Sequence, residues 1–197
     1  MNWAECNDVQ LLVANFCIAE VFSVFEKYRW GAKWNPHVKR SNFKLSQTDF
    51  ESARRNFRAA IHNGSKIVQV ELNRYHVLCV DLISTINHAY QINRPPKSAR
   101  RVVPASTYDM LLLAMGIWLT HVHGRENLTI VTGDNRITDV VGRARSIKLN
   151  KEIRSHLTSI ADSLGLTYSP DLYPFVLNLK SCTQKELFGR FPWLRDS

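Results

Sequence analysis

Apolar residues along the chain alternate between short runs and helically spaced stripes. Val9 to Val13 is a short apolar run that reads as a strand. A helix is predicted to follow almost at once, from about Phe16 to Arg29. Its apolar positions Phe16, Ala19, Phe22 and Phe25 recur at helical spacing, and Val21 and Val24 widen that face. Gly31 supplies a stop, and Trp34 to Lys44 reads as a basic loop broken by Pro36. Gln47 to His62 is a polar amphipathic helix ended by Asn63-Gly64, with Thr48 and Glu51 at capping-box spacing near its start. Lys66 to Leu72, rich in Val and Ile, is a candidate strand, and a helix from about Tyr75 to Tyr90 follows it.

The second half repeats the pattern. Arg94-Pro-Pro-Lys-Ser-Ala-Arg-Arg101 is a basic, proline-broken loop. Ser106 or Thr107 caps an apolar helix reaching about His121, and Gly124 to Asn127 is a turn. Leu128 to Thr132 is a β-branched strand closed by Gly133-Asp134, and a further helix begins near Asn135. Lys151 to Leu164 is predicted helical and Gly165 stops it. Leu166 to Tyr168 reads as a short strand ahead of a proline-interrupted tail. Such alternation predicts an α/β fold with helices on both faces of a parallel sheet, and ligands bind such sheets beyond the carboxyl ends of the strands.

Composition narrows the partners. The 197 residues suit one compact domain with a terminal extension. Lys and Arg total 26 against 17 Asp and Glu, a formal charge of +9, so the field attracts polyanions, nucleic acid first among them. The basic residues are spread along the chain, and general solubility is the alternative reading. Cys6, Cys17, Cys79 and Cys182 have neither metal-knuckle nor redox-pair spacing, and Cys17 and Cys79 sit in apolar runs as small core residues. The first residues lack the basic start and apolar core of a signal peptide. The longest apolar stretch, Met110 to Leu119, is half of what a bilayer span needs. A reducing, cytoplasmic setting without a membrane is expected.

Three acids land near the carboxyl ends of predicted strands. Asp134 directly follows the strand Leu128 to Thr132. Asp109 lies in the first turn of the helix after the basic loop, and Glu20 in the early turns of the helix after Val9 to Val13. Convergent carboxylates repel one another and are tolerated where a cation neutralises them; Mg²⁺ or Mn²⁺ suits an all-oxygen site and can polarise a phosphodiester and activate water. On that basis, Asp134→Asn is expected to raise the melting temperature of the metal-free protein. Each acid has a plainer role open to it. Asp109 suits the positive end of its helix dipole, Asp134 suits an N-cap, and Glu20 shares a polar stripe with Ser23 and Lys27.

Ser106-Thr-Tyr-Asp-Met-Leu-Leu-Leu-Ala114 followed by Leu128-Thr-Ile-Val-Thr-Gly-Asp134 resembles the PIN-domain nucleases, in which an Asp opens an apolar helix and a later strand ends in Thr-x-Asp. Ile18-Ala-Glu-Val-Phe22 is similar to the family's acid-bearing helix, and the resemblance spans roughly residues 9 to 168. It implies a three-layer α/β/α sandwich around a parallel sheet and cleavage of single-stranded RNA with Mg²⁺ or Mn²⁺. Glu20, Asp109 and Asp134 are then the metal-site carboxylates, Thr132 a supporting hydroxyl and Asp139 a weaker fourth acid. Many members are toxins of toxin–antitoxin pairs, which implies an antitoxin partner and a homodimer. Residues 1–168 form the expected domain and residues 169–197 an extension packed on it. The family opens with a strand ending in Asp. Only 19 residues precede Glu20 here, and the apparent second strand fills them. The chain therefore reads as a PIN-like domain truncated at its N-terminus. An upstream segment, a partner or degeneration of the site accounts for the missing strand.

Basic residues flank the proposed rim. Arg94, Lys97, Arg100 and Arg101 lead into Asp109, while Arg136, Arg143, Arg145 and Lys148 follow Asp134. A metal-filled acidic centre within a basic surround suits a phosphate backbone, and a solvated loop and helix is the alternative. His121 and His123 have ligand spacing but read as a solvated helix end; Trp30, Trp34 and Tyr108 are given no role. Three function classes stay open: a metal-dependent ribonuclease, a catalytically impaired nucleic-acid- or protein-binding module on the same fold, and a phosphatase or other hydrolase. A glycine-rich phosphate loop, which nucleotide binding would call for, is missing from the sequence.

Overall fold

Two parallel strand pairs organise the chain, one in each of two units, Met1–Leu72 and Asn73–Ser197. The computed structural model describes residues 10–30, 45–62, 67–92, 105–146 and 149–192.

In the first unit, β1 (Leu11–Ala14) runs straight into α1 (Asn15–Trp30), followed by α2 (Gln47–His62) and β2 (Ile67–Val70). The strands pair in parallel, with Leu11 opposite Ile67 and Ala14 opposite Val70. The helical stripe of α1 meets α2 through Phe22, Phe25 and Phe57, whose rings stand edge to face with centroids 5.4–6.4 Å apart. Arg54 of α2 lies over Phe22 and Phe50. The cap of α2 is Ser46 with Asp49, in place of the expected Thr48 and Glu51. Ser46 Oγ accepts from the Asp49 backbone N–H at 3.1 Å and donates to its carboxylate at 2.6 Å. Ser46 immediately precedes the helix, where backbone donors lack partners, whereas Thr48 already lies inside it.

The second unit holds α3 (Arg74–Leu78), α4 (Val80–Ile92), α5 (Thr107–His123), β3 (Thr129–Thr132), α6 (Asn135–Ser146), α7 (Lys151–Ser163), β4 (Phe175–Asn178) and α8 (Gln184–Arg190). The single helix expected from Tyr75 to Tyr90 is split by a turn at Cys79. Asn73 caps the first piece: its Oδ1 accepts from the backbone of Tyr75 and His76, and His76 Nδ1 accepts from the Asn73 N–H in return. Cys79 is fully buried, and burial pushes its thiol up to about 11.

One core unites this unit. Leu82, Ile83 and Ile86 of α4, Leu113 and Ile117 of α5, Val140 and Val141 of α6, Leu157 and Ala161 of α7, and Tyr173 ahead of β4 are all buried together. Gly116 of α5 lets the sheet approach closely, since a Cβ there would lie 2.9 Å from Ile130 Cδ1 and 3.0 Å from Pro174 Cγ.

Two expectations about the strands also change. Leu166 to Tyr168 does not form a strand. Gly165 turns the chain at φ 71° and Leu166 drops into the core. The strand is instead β4, within the residues 169–197 expected as an extension, and it pairs in parallel with β3 from Thr129 opposite Phe175 to Thr132 opposite Asn178. The alternation correctly predicts a mixed α/β chain with parallel strands. Among the described residues, however, those strands form two separate two-stranded sheets, where a single sheet is expected. Local periodicity marks strands but says nothing about which of them pair. No helix among the described residues is long and apolar enough to cross a membrane.

Candidate active site

A polar cluster gathers at the carboxyl ends of β3 and β4. Asp109 is placed by the start of α5. Ser106 occupies the N-cap position and its Oγ accepts from the Asp109 N–H at 3.2 Å. In return Asp109 Oδ2 accepts from the Ser106 backbone N–H and hydroxyl, both at 2.7 Å. This reciprocal cap explains how a carboxylate with only 8% of its residue surface exposed is tolerated at a helix start.

Asp134 sits between β3 and α6. The Thr132 hydroxyl accepts from its backbone N–H at 3.0 Å, fixing the turn that ends the strand. Its Oδ1 accepts from the Arg136 backbone N–H at 2.9 Å, one of the orphan donors at the start of α6. Asp134 thus takes its plainer role as an N-cap, while Asp109 completes the capping box whose N-cap is Ser106.

A third residue joins them. The Arg136 guanidinium grips Asp134 through Nε, 3.1 and 3.0 Å from the two carboxylate oxygens, and through Nη2 at 2.5 Å. Its Nη1 lies 3.3 Å from Asp109 Oδ2. One cation thus bridges two carboxylates brought together from separate elements. Hydrogen bonding by Arg136 is the main cause holding the Asp134 carboxyl below its ordinary value, against partial burial that raises it; the charges of Arg136 and Lys180 add to the lowering.

Two neighbours of this site belong to no motif in the sequence. Lys180 follows β4 and its charge reaches Asp134. Asn178, 5% exposed and opposite Thr132 in register, donates to Asn135 Oδ1 at 2.7 Å and Thr138 Oγ1 at 3.2 Å, and accepts from the Lys180 N–H at 3.0 Å. It ties the end of β4 to the first turn of α6. The available signal was Phe175-Val-Leu, a run of strand formers after Pro174 that ends at Asn178.

The other candidates have surroundings of their own. Glu20 belongs to the first unit, exposed on α1, where its charge adds to the burial that pushes the Cys17 thiol up to about 11. Asp139 is exposed and pairs with Arg143 at 3.9 Å. Arg143, with 11% of its side chain exposed, donates to Asn87 Oδ1 and lies 4.7 Å over the Tyr90 ring, joining α6 to α4. Arg145 donates to the carbonyls of Tyr173 and Pro174 at the opposite, amino end of β4. His121 and His123 are exposed in the last turn of α5. Arg94, Lys97, Arg100, Arg101 and Lys148 lie outside the described residues.

The donor set of Asp109 and Asp134 fits a hard cation. Both carboxylates already converge on a positive group, and Mg²⁺ is commonly held by one or two carboxylates together with water and substrate phosphate. Among the described residues no three His, Cys, Asp or Glu side chains gather as a complete metal cluster. Comparison with family models, characterised proteins and solved structures gives no match.

Proposed function

We propose that the chain is a metal-dependent nuclease of the PIN-domain type that hydrolyses phosphodiester bonds of single-stranded RNA. The observation that carries this reading is the convergence of Asp109 and Asp134 on one cation at the carboxyl end of β3. The three-layer α/β/α sandwich, Glu20 as third carboxylate, a protein antitoxin and a homodimer belong to the same proposal through the sequence resemblance.

In this reading Asp109 and Asp134 hold Mg²⁺ or Mn²⁺, which when bound polarises the phosphodiester and lowers the pKa of water. The chain's own part is positional. Ser106 and the first turn of α5 aim Asp109, while Thr132 sets the turn that presents Asp134. Asn178 braces the neighbouring strand end, and Lys180 offers an exposed positive charge to substrate phosphate. The formal charge of +9 favours encounter with a polyanion.

Single-stranded RNA incubated with Mg²⁺, Mn²⁺ or EDTA tests the reading. Cleavage is expected only with metal, and is expected to fall at least a hundredfold in both Asp109→Asn and Asp134→Asn. Cleavage that persists in EDTA, or is unchanged in both variants, refutes it.

A second reading has its own support. Both carboxylates are spent on helix caps and neutralised by Arg136, an arrangement that also suits a binding module without catalysis. That module binds single-stranded RNA equally well with metal or EDTA, and leaves it intact.

A further inference from the structure

We infer that Arg136 is a built-in rival of the divalent ion: its guanidinium and the metal take the same carboxylate oxygens, so metal binding requires the side chain to turn out of the site. The inference rests on the metal-site reading above and adds a gate to it.

Lone-pair counting is the first argument. An ionised carboxylate offers about four acceptor sites. Three N–H groups of this one residue make four contacts with Asp134: the backbone N–H on Oδ1, Nη2 on Oδ2, and Nε shared between the two oxygens. A metal ion using Asp134 competes with them for the same oxygens. Asp109 Oδ2 is similarly crowded, accepting twice from Ser106 besides facing Nη1.

Charge is the second argument. Two carboxylates and one guanidinium leave a net −1 at the site. A divalent ion beside an unmoved guanidinium would make it +1, with like charges a few ångströms apart.

Displacement also has a route. The Arg136 side chain is 37% exposed, so solvent lies on its outer side. Its backbone N–H still caps against Asp134 Oδ1 after the side chain leaves, so α6 need not fray. Once outside, the guanidinium stands on the same rim as Lys180 and suits a phosphate, to which arginine binds in a fork. A polyanion that holds Arg136 therefore helps the metal to bind, and by linkage the metal helps the polyanion to bind equally.

The test is Mn²⁺ affinity, measured by calorimetry on the wild type, Arg136→Gln and Arg136→Lys, without RNA. Arg136→Gln should bind Mn²⁺ about tenfold more tightly, the equivalent of one displaced, half-exposed charged pair. Arg136→Lys, which keeps the charge but loses the fork, should fall between the two. Adding Mg²⁺ to the wild type should also shift the Arg136 Nε–H resonance and speed its exchange with solvent. Both variants keep the backbone cap, and circular dichroism checks that they fold. Equal or weaker Mn²⁺ binding in Arg136→Gln, with clear binding in the wild type, overturns the gate and leaves the metal reading standing. Absence of Mn²⁺ binding in all three proteins overturns both.

Discussion

Asp134→Asn discriminates between two opposite electrostatic pictures of the site. If the carboxylates simply repel each other, neutralising one raises the stability of the metal-free protein. The geometry argues for the reverse sign, because Arg136 already compensates both acids. Asparagine keeps an oxygen for the Arg136 backbone N–H, so the cap survives; what disappears is the charge-assisted grip of Nε and Nη2. Those contacts would be worth about 1.5–3 kcal/mol if sheltered. The side chains are 34% and 37% exposed, so solvent screening brings the figure down towards the ~1 kcal/mol upper end of surface pairs. Loss of negative charge at the start of α6 costs about 0.3–1 kcal/mol more, and relief of repulsion from Asp109 offsets part of it. The expected net is ~1 kcal/mol of destabilisation at pH 7, a fall in melting temperature of about 2–4 °C for a chain of this size.

The pH dependence checks the cause. Because the folded-state pKa of Asp134 is lowered, its stabilisation is fully present above the ordinary value of 3.8 and disappears as pH falls through the folded-state value. Thermal melts in EDTA should therefore show a constant gap between wild type and Asp134→Asn from pH 8 to about 5, closing below 3.8. A higher melting temperature for the variant at pH 7 would refute the argument and restore net repulsion as the dominant effect.

Other sites test the packing. Alanine at Gly142, where a new Cβ meets nothing within 4 Å, should stabilise α6 by about 0.5–1 kcal/mol, read as a raised urea midpoint. The same change at Gly116 gains as much from helix propensity but drives a methyl against Ile130 and the Pro174 ring. With overpacking costing about 1–3 kcal/mol, a net loss is expected, and a midpoint above wild type would contradict the close approach of α5 to the sheet. Arg190→Ala should cost about 2 kcal/mol in the same assay. Its guanidinium donates to the Thr129 hydroxyl and to the carbonyls of Glu126 and Leu128, and lies 4.7 Å over Phe175, tying α8 to the amino end of β3. Arg190→Lys should lose nearly as much, since it keeps charge without the fork; full retention by lysine would show that charge alone matters.

Much of this protein could be read from its sequence because the deciding interactions are local. Gln47–His62 begins and ends where its amphipathic stripe does, and Ser106 and Asp109 announce the cap of α5 through a three-residue spacing. Asp134 follows its strand as the β-branched run Leu128 to Thr132 implies. These features depend on neighbours within one helical turn. Other features depend on residues far apart in the chain. Pairing of β3 with β4, 46 positions away in register, goes with the packing of Ile130 and Val176 against the core, which the run Phe175-Val-Leu does not reveal by itself. Arg143 looked like a surface cation, yet Asn87 and Tyr90 from another helix hold it. Arg136 shows both limits. The sequence placed a basic residue two positions after Asp134, but only the packing of α5 against α6 brought Asp109 within reach of the same guanidinium. That contact turned two local helix caps into one shared cation site.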